Sequence, residues 1–133
     1  MKPIFSILIC LMIVCTIIGC HQQTSDNAAM QQSISPKITF DVNNINKDGL
    51  YGPPDGLRAL DYEFCIPATD AAEAEVKQID PTVKFHKNSP GRAGCSEEEY
   101  LCIGTTHQKD FRSVLAKLAA LDYVRQIDQS FYE

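Results

Sequence analysis

Cations are scarce in this sequence of 133 residues. It has 12 Lys and Arg residues against 17 Asp and Glu residues, for a net charge of −5 at pH 7. If Lys2 leaves with a cleaved leader segment, 11 Lys and Arg residues remain against 17 Asp and Glu residues, and the net charge is −6. Nucleic-acid-binding proteins need clustered cations. The charge balance therefore argues against nucleic acid as a partner.

Motifs of common catalytic and cofactor sites are also missing. The chain has no Cys-x-x-Cys pair, no two histidines at helical spacing, no Gly-x-Gly-x-x-Gly and no phosphate-binding loop. Three cysteines, Cys65, Cys95 and Cys102, together with His86 and His107 still offer ligands that zinc and copper favour. Because no paired-ligand motif joins them, we expect neither a metal site nor a cofactor.

The one long apolar run is too short for a transmembrane helix. Residues Ile4–Ile18 are apolar apart from scattered Ser, Cys and Thr residues, and they follow a single cation, Lys2. A spanning helix needs about 20 apolar residues. A charged start, a short apolar middle and a small-residue exit instead predict a secretory signal peptide over residues 1–19.

The exit from this run resembles the lipobox of bacterial lipoproteins. Ile17-Ile18-Gly19-Cys20 has two aliphatic residues, a small residue and a cysteine, with Ile17 where that family more often has Leu. The resemblance implies that Cys20 is linked to diacylglycerol, that the chain is cut before it, and that its new amino group is often acylated. Two or more acyl chains anchor a protein firmly, whereas a single one does not. We therefore expect a lipid-anchored protein of the bacterial cell envelope, held at the membrane through Cys20 with its domain outside the cytoplasm.

Residues 20–36 are predicted to form a lipidated flexible tether. The sequence after the cysteine, HQQTSDNAAMQQSISP, has too little apolar surface to offset the entropy lost on ordering. A flexible segment of this length spans about 20–25 Å root-mean-square. The remainder, residues 37–133, has the size of one small domain.

The residue pattern of this domain alternates between strand and helix signals. Predicted strands cover Lys37–Ile45, Leu57–Pro67, Thr82–Lys87, the stretch EEEYLCIGTTH at Glu97–His107 and Tyr123–Tyr132, and predicted helices open near Thr69 and near Thr105. From Leu57 onward the order is that of an α+β ferredoxin-like βαββαβ sandwich, with two helices on one face of a four-stranded sheet. The predicted strand at Lys37–Ile45 precedes this order and is expected to be an extra N-terminal strand.

Alternation along the central strands predicts which side chains face the core. The expected core residues are Leu60, Tyr62, Phe64 and Ile66 on one strand, Leu101 and Ile103 on another, and the helical stripe Phe111, Leu115, Leu118 and Leu121. The residues expected to face outward are Ala59, Asp61, Glu63 and Cys65 on the Leu57–Pro67 strand. On the strand that contains Leu101 and Ile103 they are Tyr100, Cys102 and Gly104. Thr105 and Gln108 have the spacing of a capping box, which places the start of the second helix there.

The odd number of thiols in the domain allows at most one internal disulfide in an exported protein. Cys65 and Cys102 are predicted to lie on the outward face of neighbouring strands, within the reach of a disulfide, so this pair is expected. With those strands taken as parallel, Cys95 lies toward the opposite end from Cys65. A Cys65–Cys95 bond is the alternative, and it requires residues 93–95 to fold back.

Two loops rich in Gly and Pro are the candidate binding segments. Gly49–Arg58 presents Tyr51 and Arg58, and Ser89–Gly94 presents Arg92. Long loops with a fixed backbone shape are often functional. By contrast, Asp61 and Glu63 are predicted to lie on a solvated strand face and not to form an acid–base pair.

These observations favour a lipid-anchored envelope protein whose small domain binds or scaffolds a partner, such as another envelope protein, and is not an enzyme. The alternative is an envelope thiol–disulfide or metal-handling protein that uses Cys65, Cys95 and Cys102. The absence of a readable nucleophile–base set gives no support for a hydrolase.

Overall fold

The structure is a computed structural model that describes residues 35–131. Its elements are two helices and six strands: β1 Leu50–Tyr51, β2 Arg58–Ala59, β3 Asp61–Pro67, α1 Asp70–Ile79, β4 Lys84–His86, β5 Glu99–Thr105, α2 Phe111–Ala120 and β6 Asp128–Gln129. The predicted leader, Cys20 and most of the predicted tether lie outside the described residues, as do Tyr132 and Glu133.

The strands form two sheets. Strands β1 and β2 pair with each other, and the other four strands form one sheet in the order β4-β5-β3-β6. Every pairing in both sheets is antiparallel. The prediction of an α+β domain with two helices and a four-stranded sheet is confirmed.

Both helices contribute to the main core on one face of this sheet. Val76 of α1 and Leu115 and Leu118 of α2 cluster there with Tyr62 and Phe64 of β3, and all five are at most 1% exposed. We call this side of the sheet the helix face. The opposite side, which carries Glu63, Cys65 and Leu101, is called the loop face.

Helix α1 forms as the sequence predicts. The Thr69 side chain accepts a hydrogen bond from the Ala72 N–H, which satisfies one of the free donors at the helix start. The helix ends at Ile79, because Asp80 precedes Pro81 and the residue before a proline avoids the helical region.

The predicted capping box of α2 is wrong, and the helix begins later. Thr105 is the last residue of β5, and the buried Thr106 hydroxyl donates to the Gly49 carbonyl at 2.7 Å. The helix begins at Phe111 after Asp110, whose backbone is left-handed with φ of 54°. The predicted stripe is confirmed, since Phe111, Leu115 and Leu118 are buried and Leu121 is partly buried.

The predicted orientation of β5 is also wrong. Gly104 lies opposite Tyr62 and Cys102 lies opposite Phe64, so Cys102 belongs to the helix face, and Leu101 and Ile103 belong to the loop face. A shift of one residue along a strand moves every side chain to the other face. The alternation of apolar and polar residues could not orient this strand. The centre of the sheet is covered on both faces, so Leu101 and Cys102 are both buried.

The ends of the domain contain less regular strand than predicted. In place of a strand over Lys37–Ile45, a single parallel bridge joins Ile38 to Ile127, and a 3₁₀ turn follows over Val42–Asn44. Buried Val42 and Ile45 anchor this segment in the core. The last strand starts late, at Asp128, and within the described residues it covers only β6.

Candidate functional site

The first candidate loop folds as a hairpin built on β1 and β2. Tyr51 lies directly opposite Arg58 in this pair. The Arg58 guanidinium lies over the Tyr51 ring, 5.1 Å from its centre, a cation–π arrangement. The Tyr51 hydroxyl accepts a hydrogen bond from Gln129 Nε2 at 3.3 Å, which ties the hairpin to the edge strand β6. The structure therefore brings two of the predicted binding residues together.

The tip of this hairpin is a tight and exposed turn. The Gly56 N–H donates to the Pro53 carbonyl oxygen at 2.9 Å, with Pro54 at the second position of the turn, where its fixed φ is favoured. Gly52 has φ of 114°, and a Cβ there would lie 3.0 Å from the Gly56 oxygen. Residues 52–58 are all exposed, and Leu57 is 46% exposed.

The base of the hairpin is fixed by buried contacts. Gly49 has φ of 78°, and a Cβ at this position would approach the Thr106 carbonyl oxygen to 1.8 Å. Thr106 also contacts the residue between β2 and β3, because its hydroxyl accepts from the Leu60 N–H at 3.0 Å. His107 Nδ1 donates to the Asp48 carbonyl at 3.1 Å while the residue stays exposed. The loop thus leaves the domain from a rigid base.

The second candidate loop is held by the Cys65–Cys95 disulfide, which is the alternative pairing and not the expected one. Cys65 bonds to Cys95, with 5.4 Å between the Cα atoms, and Cys102 is free and buried. The expected Cys65–Cys102 bond is wrong for two reasons. These residues lie on opposite faces of the sheet, and β3 and β5 are antiparallel, so the start of β5 lies beside the end of β3.

Residues 89–95, which we call the strap, fold back over the loop face. The Ala93 N–H donates to Glu63 Oε1 at 2.7 Å, and the Ser130 hydroxyl donates to Glu63 Oε2 at 3.1 Å. Gly91 packs so closely that a Cβ would lie 2.6 Å from the Leu101 side chain. The predicted solvated carboxylate face is therefore wrong at Glu63, which is 3% exposed, whereas Asp61 is partly exposed.

Arg92 lies on the exposed side of the strap. Its guanidinium is 5.7 Å from the ring centre of Phe131, a side chain that is 56% exposed. The third predicted binding residue is thus on a separate loop from Tyr51 and Arg58. It nevertheless forms the same kind of arginine–aromatic pair.

The three cysteines of the domain do not form one site. The Cys102 thiol lies in the helix-face core, where burial, with smaller contributions from the Glu73 and Asp80 carboxylates, raises its pKa to about 12. A thiol that stays protonated is a poor nucleophile and metal ligand. Within residues 35–131, no group of three or more His, Cys, Asp or Glu side chains is placed to hold a metal ion.

A buried polar network is the feature that the sequence analysis missed. The Tyr62 hydroxyl donates a short hydrogen bond to Asp80 Oδ2, and both residues are fully buried. Asp80 Oδ1 accepts from the Thr82 hydroxyl at 2.7 Å and from Gln108 Nε2 at 3.1 Å. Burial, followed by the charge of Asp80, holds the pKa of Tyr62 far above its usual value.

Gly104 makes room for this network, because a Cβ there would lie 2.5 Å from Asp80 Oδ2 and 2.7 Å from the Tyr62 ring. One signal was readable in the sequence. Asp80 is an anion at the C-terminal end of a helix, where the helix dipole disfavours negative charge, and such a position implies a compensating partner.

Comparison with family models, curated proteins and solved structures finds no match to the chain. Residues 35–131 contain no helix with the length and apolar character required to cross a bilayer.

Proposed function

We propose that this chain is a bacterial lipoprotein whose small domain is exposed outside the cytoplasm and binds a partner without catalysing a reaction. The resemblance of residues 17–20 to a lipobox supports this location. The Cys65–Cys95 disulfide supports it independently, since disulfides persist in oxidising compartments and are rare in the cytosol.

We infer that the domain has a ferredoxin-like fold. Counted from β3 onward, the observed order β4-β5-β3-β6 is second, third, first and fourth strand. This is the arrangement expected of a split βαβ motif repeated once. The helices that connect these strands both bury their apolar residues in the helix-face core.

The β1–β2 hairpin is the part of the domain that we propose binds the partner. Its tip projects Leu57 and Arg58 into solvent, while the Tyr51–Arg58 pair, the Tyr51–Gln129 hydrogen bond and the Pro53–Gly56 turn fix its backbone. A preorganised loop loses little entropy on binding, so a larger share of its contact energy contributes to affinity.

Lipid attachment is tested by labelling cells with a radioactive fatty acid and isolating the protein. We expect label on the wild-type chain and none on Cys20→Ala. Label that persists in this variant, or no label on the wild type with its leader intact, would contradict the lipoprotein assignment.

Partner binding is tested by photo-crosslinking in the native envelope. A photoreactive phenylalanine analogue replaces Leu57 in one variant and Lys84 in a matched control. Lys84 is also exposed, but it lies on β4, at the opposite edge of the sheet from β6. We expect crosslinks to a lipid or a protein from position 57 and none from position 84. Equal yields from both positions would show that the hairpin is not a binding surface.

A further inference from the structure

Two large apolar side chains are exposed in the described part of the chain, Leu57 at 46% and Phe131 at 56%. Isolated surface hydrophobics are common and need no explanation. These two, however, belong to connected parts of the structure, and each stands beside an arginine that is stacked on an aromatic ring.

The connection runs through Gln129. Its side chain bonds the Tyr51 hydroxyl, and two residues further along the chain is Phe131, at most about 7 Å away between Cα atoms. Leu57 precedes Arg58, which stacks on Tyr51. Phe131 follows Ser130, whose N–H donates to the Asp61 carbonyl oxygen at 2.8 Å, and Asp61 comes three residues after Arg58. The two arginine–aromatic pairs, Tyr51 with Arg58 and Phe131 with Arg92, therefore lie at the end of the sheet where β3 begins. We call these four residues and Leu57 the hairpin patch.

The composition of the hairpin patch contrasts with that of the whole chain. The chain carries a net charge of −5, whereas the patch consists of two arginines and three apolar or aromatic side chains. Within the exposed tip, residues 52–58, the single carboxylate is Asp55. Aromatic rings with a polar end are typical of the membrane–water interface, and arginine can bury its stem while keeping its charge among headgroups.

We propose that the hairpin patch rests on the phospholipid surface that holds the anchor, with Leu57 and Phe131 at the level of the headgroups and Arg58 beside a lipid phosphate. This rests on the proposed lipid at Cys20. It names a partner for the candidate binding residues Tyr51, Arg58 and Arg92, and it assigns an orientation to the domain.

The tether explains why so small a patch suffices. Two apolar side chains and two arginines would not hold a free domain on a membrane. If residues 20–36 form the tether that their composition predicts, its span of about 20–25 Å keeps the domain at a high effective concentration near the surface, so weak contacts become populated. A specific protein interface, in contrast, involves about 20–30 residues on each partner, whereas the hairpin patch consists of Leu57 and the two arginine–aromatic pairs.

The absence of tryptophan from the chain permits a direct test. The full-length protein is purified from membranes and reconstituted into vesicles of phosphatidylglycerol and phosphatidylcholine, with or without bromine on the acyl chains near the headgroup. Leu57→Trp and Phe131→Trp carry single reporters in the patch. Lys84→Trp is the matched control, on the strand at the opposite edge of the sheet, three strand spacings or about 14 Å from β6.

We expect brominated lipid to quench most of the emission of Leu57→Trp and Phe131→Trp and to leave that of Lys84→Trp unchanged. Equal quenching of all three, or of none, would overturn the proposal. A blue-shifted emission from the patch without quenching would also overturn it, because it would indicate that protein covers the patch. Intact-mass analysis distinguishes failure of the proposed orientation from failure of the lipoprotein assignment. Lipid on Cys20 without quenching refutes the orientation alone. Absence of lipid refutes the lipoprotein assignment.

Discussion

The two faces of the four-stranded sheet are both covered, but by different means. On the helix face, two helices bury a continuous apolar cluster against Tyr62 and Phe64. On the loop face, a short strap covers a smaller cluster of Cys65, Cys95 and Leu101, held by one disulfide and by hydrogen bonds to Glu63. A domain this small can thus close its second face with a covalent bond and a buried carboxylate where no third layer of structure is available.

The largest loss of stability is expected from truncating a buried side chain on the helix face. Phe64→Ala removes a fully buried ring and should lower the free energy of unfolding by about 4 kcal/mol. Leu101→Ala on the loop face, where the strap can collapse into the space, should cost nearer to about 2 kcal/mol. Urea denaturation measures both. A larger loss for Leu101→Ala would show that the loop face is the more rigid of the two.

Removing the disulfide tests the loop face by itself. The bond closes a loop with a sequence separation of 30, so the double variant Cys65→Ser, Cys95→Ser should lose about 3–4 kcal/mol by the chain-entropy estimate. The local consequence is sharper. The Ala93 amide, now protected by Glu63, should exchange hydrogen much faster, while amides of β3 and α2 should follow only global stability.

Cys102→Ala is the control for this variant, because it removes the free thiol from the helix face and leaves the strap closed. Slow exchange at Ala93 should persist in it. If Ala93 stays equally protected in the double variant, hydrogen bonding and packing hold the strap without the disulfide.

The sequence predicted the helix face better than the loop face, and the reason is physical. Periodicity locates α1 and the stripe of α2, because each helix has one buried and one exposed side. It could not orient β5, since Leu101 and Cys102 are both buried. The disulfide was assigned wrongly because β3 and β5 were taken as parallel. The predicted βαββαβ order already implies the opposite, since a helix connects β3 to β4 in the same direction and the chain reverses between β4 and β5.

The candidate site was predicted in part for similar reasons. Gly and Pro marked both loops, and Tyr51 and Arg58 do lie together. Their link to Gln129 and the pairing of Arg92 with Phe131 join residues far apart in the chain, which spacing alone does not reveal. Asp80 was interpreted only as the end of a helix, so its polar network was missed.

The polar network around Asp80 tests how much of the stability of the helix face comes from apolar burial alone. Tyr62→Phe keeps the ring but removes the hydroxyl that donates to buried Asp80, and leaving a buried group without a partner costs about 1–3 kcal/mol. Tyr123→Phe is the matched control, since its hydroxyl donates to the exposed Glu75, and it should cost less than about 1 kcal/mol. Equal losses would mean that Asp80 finds another donor.

The smallest effect is expected at the rim of the loop face, where Arg125 forms two hydrogen bonds with Glu99 at 2.6 and 3.1 Å. The Arg125 guanidinium, with help from the Ser96 N–H, lowers the pKa of Glu99. A carboxyl with a lowered folded-state pKa stabilises the fold above its unfolded pKa, roughly 4.3, and loses this contribution as the pH falls through the folded value. The urea midpoint of Arg125→Gln should therefore lie slightly below that of the wild type at pH 7, and the two should converge in acid. A difference in urea midpoint that stays constant down to pH 2 would show that Arg125 acts through packing and not through the charge of Glu99. The rim would then be stabilised by packing, as the helix face is.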